Sequence, residues 1–343
     1  MTTKPLLKNL AKLPRLNDLF VWCDYIELRC LVHPDKVFSR SDLMETQEEM
    51  ADTRDDADEI EDEQLAEDMG IDYNDVRDDG LLSSNPLKQD RLHRITYDRF
   101  LHLQSREKNF GEDLYPFVID EELQTISMKD NMTAWQMLYV QLLLSSALRY
   151  CENTRSNELT GSFESVSLEI FKCLMPRGWE IHSFGKDHAS RYTGHLFEKL
   201  SKLAEDVRGK LTLEKKHFHS RDYGDGGLDL VAWHPMSDER PNIPIAFGQC
   251  GCTAEDFENK MLQASPAKLG SHLIVGHIWA NYYFMPHAML SNDGKEWLRY
   301  SDFGGAIVID RSRILKLAHQ YGLQATNLFQ QEVVDEVIDT SFL

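Results

Sequence analysis

The chain has 343 residues, 42% of them hydrophobic, with 37 Lys and Arg against 57 Asp and Glu, a formal net charge of −20 at pH 7. This length exceeds the usual single-domain size and the apolar content suffices for real cores, so two domains are expected. The longest apolar run, Met137 to Leu148, is broken by Gln141 and Ser145, which excludes a membrane span; with no secretory apolar stretch after Met-Thr-Thr-Lys-Pro, a cytoplasmic protein with mostly reduced cysteines is expected.

In chain order, Asn17 to Val32 reads as an amphipathic helix, with Leu19, Phe20, Cys23, Ile26, Cys30 and Leu31 at three-and-four spacing behind the capping candidates Asn17 and Asp18. Residues 41 to 80 hold 18 Asp and Glu against 2 Arg, so almost all of the negative charge belongs to this one segment, which is part helical or loosely ordered. A further helix is expected over 92 to 112, around Tyr97, Phe100 and Leu103. Thr133-Ala134-Trp135-Gln136 is a capping-box pattern opening the most apolar helix, through Leu138, Leu142 and Leu148. These elements make residues 1–154 a mainly helical amino-terminal domain, closed by a polar linker from Cys151 to Thr160.

The second domain, 155–325, alternates helix and strand: helix 162–175, strand 179–184, helix 195–210, strands 227–233 and 243–250, helix 254–263, strands 271–279, 281–287 and 304–309, and helix 311–320. Residues 326–343 read as a carboxy-terminal tail. Helices on both sides of a short mixed sheet give an α/β fold. No internal repeat and no Walker A sequence is present.

The most informative stretch is Gly224-Asp225-Gly226-Gly227-Leu228-Asp229, a glycine turn running into a strand that carries an acid. Alternation puts Asp229, Val231 and Trp233 on one face, and in the next strand Ile243, Ile245, Phe247 and Gln249 share a face. A turn alone accounts for Asp225 but does not require an acid inside the strand. One carboxylate and one amide oxygen at a sheet edge form part of a shell for Mg²⁺, which prefers oxygen donors and keeps several waters. Lys260, on the following helix, can reach back towards that edge. Cys250 and Cys252 with His217 and His219 form C-x-C and H-x-H pairs that lack the usual zinc spacing. No nucleophile elbow supports a Cys-His hydrolase.

The order of an acid in an amino-terminal helix, Asp229 after a glycine turn and Gln249 in the next strand resembles the PD-(D/E)xK nuclease superfamily, in the branch that carries Gln for its second acid. The wording Asp-Gly-Gly-Leu-Asp and Gly-Gln-Cys is similar to restriction-type and defence-associated bacterial endonucleases, over roughly residues 155 to 320. The resemblance implies a restriction-endonuclease-like mixed sheet flanked by helices. It also implies that Asp229 and Gln249 bind the metal and that Glu164 matches the helix acid, with Glu169 as an alternative on the same helix. The family pattern places a lysine at position 251, which here is Gly251; Lys260 is the substitute the resemblance suggests, and Lys268 the weaker one.

A Mg²⁺- or Mn²⁺-dependent DNA endonuclease of an anti-phage or restriction system is therefore expected, working beside a partner ATPase or sensor and paired as a homodimer for double-strand cutting. The alternative is a catalytically inactive nuclease-like DNA-binding or assembly subunit. Residues 171 to 221 carry 11 Lys and Arg against 6 Asp and Glu, so Lys215, Lys216 and Arg221 are candidate contacts to a phosphate backbone. The acidic segment 41–80 is expected to compete with DNA for that basic surface.

Overall fold

The computed structural model describes residues 5–8, 10, 12–51, 86–185, 191–218 and 226–341. Most of the acidic segment, together with Lys186, His219, Arg221 and Asp225, lies outside them. Among the described residues no helix is long and apolar enough to cross a membrane.

The amino-terminal half consists of α1 (Leu19–Val32), β1 (Val37–Ser39), α2 (Arg40–Ala51), α3 (Pro86–Phe110), β2 (Phe117–Asp120), β3 (Thr125–Met128) and α4 (Ala134–Ser146). The expected amphipathic helix α1 is instead buried nearly all round, because α3, α4, β1 and β3 enclose it. It carries two acids, Asp24 and Glu27, into the interior. Arg106 on α3 reaches Asp24 at 2.8 Å and Glu27 at 2.9 Å, and the hydroxyls of Tyr115 and Tyr139 donate to Glu27. The capping box of α4 forms as read: Gln136 N–H donates to Thr133 Oγ1 at 3.2 Å, and Thr133 N–H to Gln136 Oε1 at 2.8 Å. The antiparallel sheet β1-β3-β2 was not expected; its strands are three or four residues long and each buries a single apolar side chain, Phe38, Ile126 and Phe117.

The second half begins with α5 (Ser156–Leu174), which starts inside the stretch read as a polar linker. Leu159, Phe163, Val166, Ile170 and Phe171 form its buried stripe. Then follow β4 (Glu180–Ser183), α6 (Leu196–Asp206), β5 (Lys210–Leu211), β6 (Leu230–Trp233), β7 (Ile245–Cys250), α7 (Phe257–Lys260), β8 (Leu273–Ile274), β9 (Ala280–Phe284), β10 (Ile307–Ile309), α8 (Arg311–Gln320) and α9 (Gln331–Asp339). The fold is mixed α/β. Its central sheet has the order β10-β9-β7-β6-β4, with β4, β6 and β7 antiparallel to one another in turn and β7, β9 and β10 parallel.

Alternation sorts the two faces of this sheet as the sequence suggests. Leu230, Ala232 and Ala246 pack in the cluster that contains Phe163, Ile170 and Phe171 of α5. Val231, Trp233, Ile245 and Phe247 pack with Leu200 and Leu203 of α6. The long helix expected at 254–263 is a single α-turn, and the strand expected at 271–279 shrinks to the two residues of β8, paired with β5. The segment read as a tail forms α9, whose Val333, Val334 and Val337 are buried and whose Glu336 pairs with Arg155 at 2.6 Å. One apolar cluster runs from Leu6 to Val337, and Arg311 of α8 reaches Asp24 of α1 at 2.9 Å.

Candidate active site at the edge of the central sheet

Antiparallel pairing brings the end of β4, the start of β6 and the end of β7 to one sheet edge. The register Ser183↔Leu230 and Leu230↔Gly248, continued by one residue, sets Asp229 opposite Gln249 with their Cβ atoms about 5 Å apart. Gly226 and Gly227 carry the chain into β6 at φ +66° and +80°, conformations open to glycine, and a Cβ on Gly227 would stand 2.5 Å from Gln263 Oε1. The turn thus explains the glycines but not Asp229, which is buried and accepts a hydrogen bond on Oδ2 from Cys250 N–H at 2.7 Å.

The other carboxylate oxygen lies in the neighbourhood of a second acid. A Cβ placed on Gly185, just past β4, would lie 3.6 Å from Glu164 Oε2 and 3.8 Å from Asp229 Oδ1. The helix acid and the acid at the start of β6 thus each place an oxygen within 4 Å of the space that a side chain at position 185 would enter. Glu169, the alternative, is exposed and paired with Lys172 at 2.7 Å. Gln249 completes the edge: its Oε1 is buried and, among the described residues, has no hydrogen-bond partner. An orphaned acceptor costs about 1–3 kcal/mol, a cost that a bound cation would remove. Two carboxylate oxygens and an amide oxygen are donors suited to a hard divalent ion. Among the described residues no group of three or more His, Cys, Asp and Glu is arranged for a metal, so any ion here depends on Gln249 and water to complete its shell.

The glycine at position 251 has a spatial cause. In the parallel pair β7–β9, Gln249 stands beside Tyr283, whose buried side chain runs under the next turn of chain. A Cβ at Gly251 would come within 2.1 Å of Tyr283 Oη and 2.8 Å of its ring. No lysine fits there while Tyr283 keeps its place. Lys260, on α7, donates to Thr253 Oγ1, in the loop that follows β7. Its charge, like those of Glu164 and Asp229, acts on the Cys252 thiol, so all three lie about that group. Lys268 is exposed.

A lysine that motif reasoning missed lies at Gly185, the residue beside which both acids place an oxygen. Lys199 on α6 is only 4% exposed, and its Nζ donates to the carbonyl of Gly185 at 3.3 Å. The signal was present: with Leu196, Leu200 and Leu203, it occupies the apolar stripe of an otherwise amphipathic helix. A lysine on such a stripe needs a polar destination.

Burial, reinforced by the charges of Asp229 and Glu164, pushes the Cys250 and Cys252 thiols well above their ordinary range. His217 Nδ1 is taken by Glu214 N–H at 3.0 Å. The basic surface is partly neutralised by its own acids: Lys215 pairs with Glu198 at 3.3 Å, Lys216 with Glu214 at 2.7 Å, and Arg191 with Asp206 at 2.7 Å. Lys215 and Lys216 are nonetheless largely exposed. No protein-family model, curated protein or solved structure matches this chain.

Proposed function

We propose that the chain is a Mg²⁺- or Mn²⁺-dependent endonuclease that hydrolyses phosphodiester bonds in DNA, built on a restriction-endonuclease-like core. The observation that carries this reading is that Glu164 and Asp229 each place an oxygen beside Gly185, with the orphaned Gln249 oxygen at the same sheet edge. Support for the core comes from α5, the antiparallel strands β4, β6 and β7, with α6 and β5 inserted between the first two, and the parallel strand β9 that follows the single turn α7 and β8. Asp229, oriented by Cys250 N–H, and Gln249 would hold the ion, with Glu164 as a direct or water-mediated ligand. A divalent ion held there supplies an acidified water and offsets phosphate charge.

The lysines would act on the phosphoryl group as it gains negative charge. Lys199 is fixed by burial at Gly185, whereas Lys260 must leave Thr253 to take part. Lys215 and Lys216 would lie along the DNA backbone. Plasmid cleavage tests the reading: nicking or linearisation in Mg²⁺ or Mn²⁺, abolished by EDTA and by Asp229→Asn, is expected. Intact plasmid under all conditions, with DNA binding that persists in EDTA, would instead support a nuclease-like DNA-binding or assembly subunit. The Tyr283 side chain beneath Gly251 favours that second reading, because it removes the usual lysine position. An anti-phage or restriction setting, a partner ATPase or sensor, and a homodimer belong to the same proposal and rest on the resemblance alone.

A further inference from the structure

Lys, Arg, Asp and Glu make up 27% of the chain, yet none occurs between Lys268 and Asp293, a run of 24 residues. The second half of that run is β9 and the largely buried turn after it, an interior that needs no charge. The first half is surface. Ser271, His272, Ile274, Gly276, His277 and Ile278 are all exposed, and Ile278, at 81%, is the most exposed large apolar side chain among the described residues. Apolar side chains scattered singly over a surface are ordinary, whereas two on one uncharged stretch beside a recess mark an interaction site.

The recess is an open groove of about 290 Å³, with Pro266, Leu273, Val275 and Trp279 in its wall together with Ile274 and Ile278. One water needs roughly 10–15 Å³, so a four-carbon side chain fits with space to spare. The wall is fixed: Trp279 Nε1 donates to the carbonyl of Ala264 at 2.8 Å, and Leu273 is fully buried. The loop that carries Ile278 is fixed as well, because the ring nitrogens of His277 lie 2.5 Å from the Ile243 carbonyl and 2.9 Å from that of Ile278. A surface held in this way has little freedom left to lose on association. Charge returns at the margin, with Lys268 before the run and Lys210 opposite Ile274 across the β5–β8 pair. An apolar centre inside a polar rim is the anatomy of a protein interface.

We propose that this surface is where two copies of the chain meet. The patch holds both a projecting apolar side chain, Ile278, and an apolar recess, and a partner that carries the same pair uses both at once. About a two-fold axis, each Ile278 enters the other copy's groove. Charge favours the same partner, since copies with a net charge of −20 repel each other and approach at least cost over a face that carries none. The patch precedes β9 at the end where β7 begins, because Ala280 pairs with Ala246, whereas Gln249 lies near the far end of β7. Pairing there is remote from the proposed metal edge, and it is argued from the surface without need of the nuclease reading.

The test is sedimentation of the full chain over a concentration series up to about 100 μM, where contacts of micromolar affinity are populated. Wild type should form a dimer, and Ile278→Glu and Ile278→Lys should each weaken it at least tenfold. The far-UV circular dichroism of both variants should match wild type, because the side chain they replace is exposed. A mixture of the two variants at low salt should recover part of the association, since the two-fold contact then sets opposite charges together. Wild type that stays monomeric overturns the proposal and leaves the surface to a different protein. A dimer indifferent to Ile278→Glu overturns it too and places self-association elsewhere, and a mixture that associates no better than either variant alone overturns the two-fold arrangement. Asp229→Asn should dimerise like wild type, so a dimer that cleaves nothing upholds this contact while the nuclease reading fails.

Discussion

Asp229 stands out at the scale of single residues because its two oxygens are committed differently. One is oriented by Cys250 N–H, and the other lies by Gly185, as does an oxygen of Glu164. Gly251 is the counterpart on the opposite side of Gln249, a position kept small by Tyr283. Gly251→Ala is therefore expected to cost about 1–3 kcal/mol through overpacking, seen as a lower melting temperature. The acid pair also makes a prediction about which lysine matters. Lys199→Met should lower DNA cleavage by about 100-fold or more, with the melting temperature followed in parallel because a buried charge beside two acids is removed. Cleavage that survives Lys199→Met but is lost in Lys260→Met would return the role to α7.

Elements explain what the sequence disclosed and what it withheld. Asp229 and Gln249 were legible because strand alternation and a glycine turn are local signals, and both strands lie where those signals put them. Glu164 followed from its order in the chain, although α5 begins six residues before the expected helix. Neither Gly185 nor Tyr283 could be picked out, because their roles depend on the pairing of β4 with β6 and of β7 with β9, and register between distant strands leaves no local mark. Lys199 was visible in principle as the polar residue on an apolar stripe. The small sheet β1-β3-β2 and the two-residue strands β5 and β8 were too short for periodicity to register. The acidic segment's competition with DNA falls mostly on residues 52–85, outside the described residues.

Across the whole molecule, buried charge joins the two halves. Asp24 would have its carboxyl raised by burial, but Arg311 and Arg106 hold it well below the usual carboxylate range. Among the described residues Arg311→Met leaves Arg106 as the one arginine on Asp24 and Glu27, and a loss of about 3–5 kcal/mol is expected in denaturant unfolding. His102 gives the pH dependence. Burial first, and then the nearby Arg106 charge, bring its imidazole down to about 4 from 6.5. The unfolded chain thus takes up this proton first, so stability is fully present above pH 6.5 and falls away as the pH drops towards 4, by up to about 3 kcal/mol. His102→Gln should flatten the melting-temperature profile across that window; an unchanged slope would assign it to other groups.

The proposed metal-binding edge of Glu164, Asp229 and Gln249 is tested without any substrate by Mn²⁺ titration of the intact chain, followed by calorimetry and by the rise in melting temperature. Saturable binding is expected in wild type, lost in Asp229→Asn and weakened in Glu164→Gln and Gln249→Ala, with the fold intact in each. Binding that is unchanged in Asp229→Asn, or absent from wild type at millimolar Mn²⁺, would contradict it.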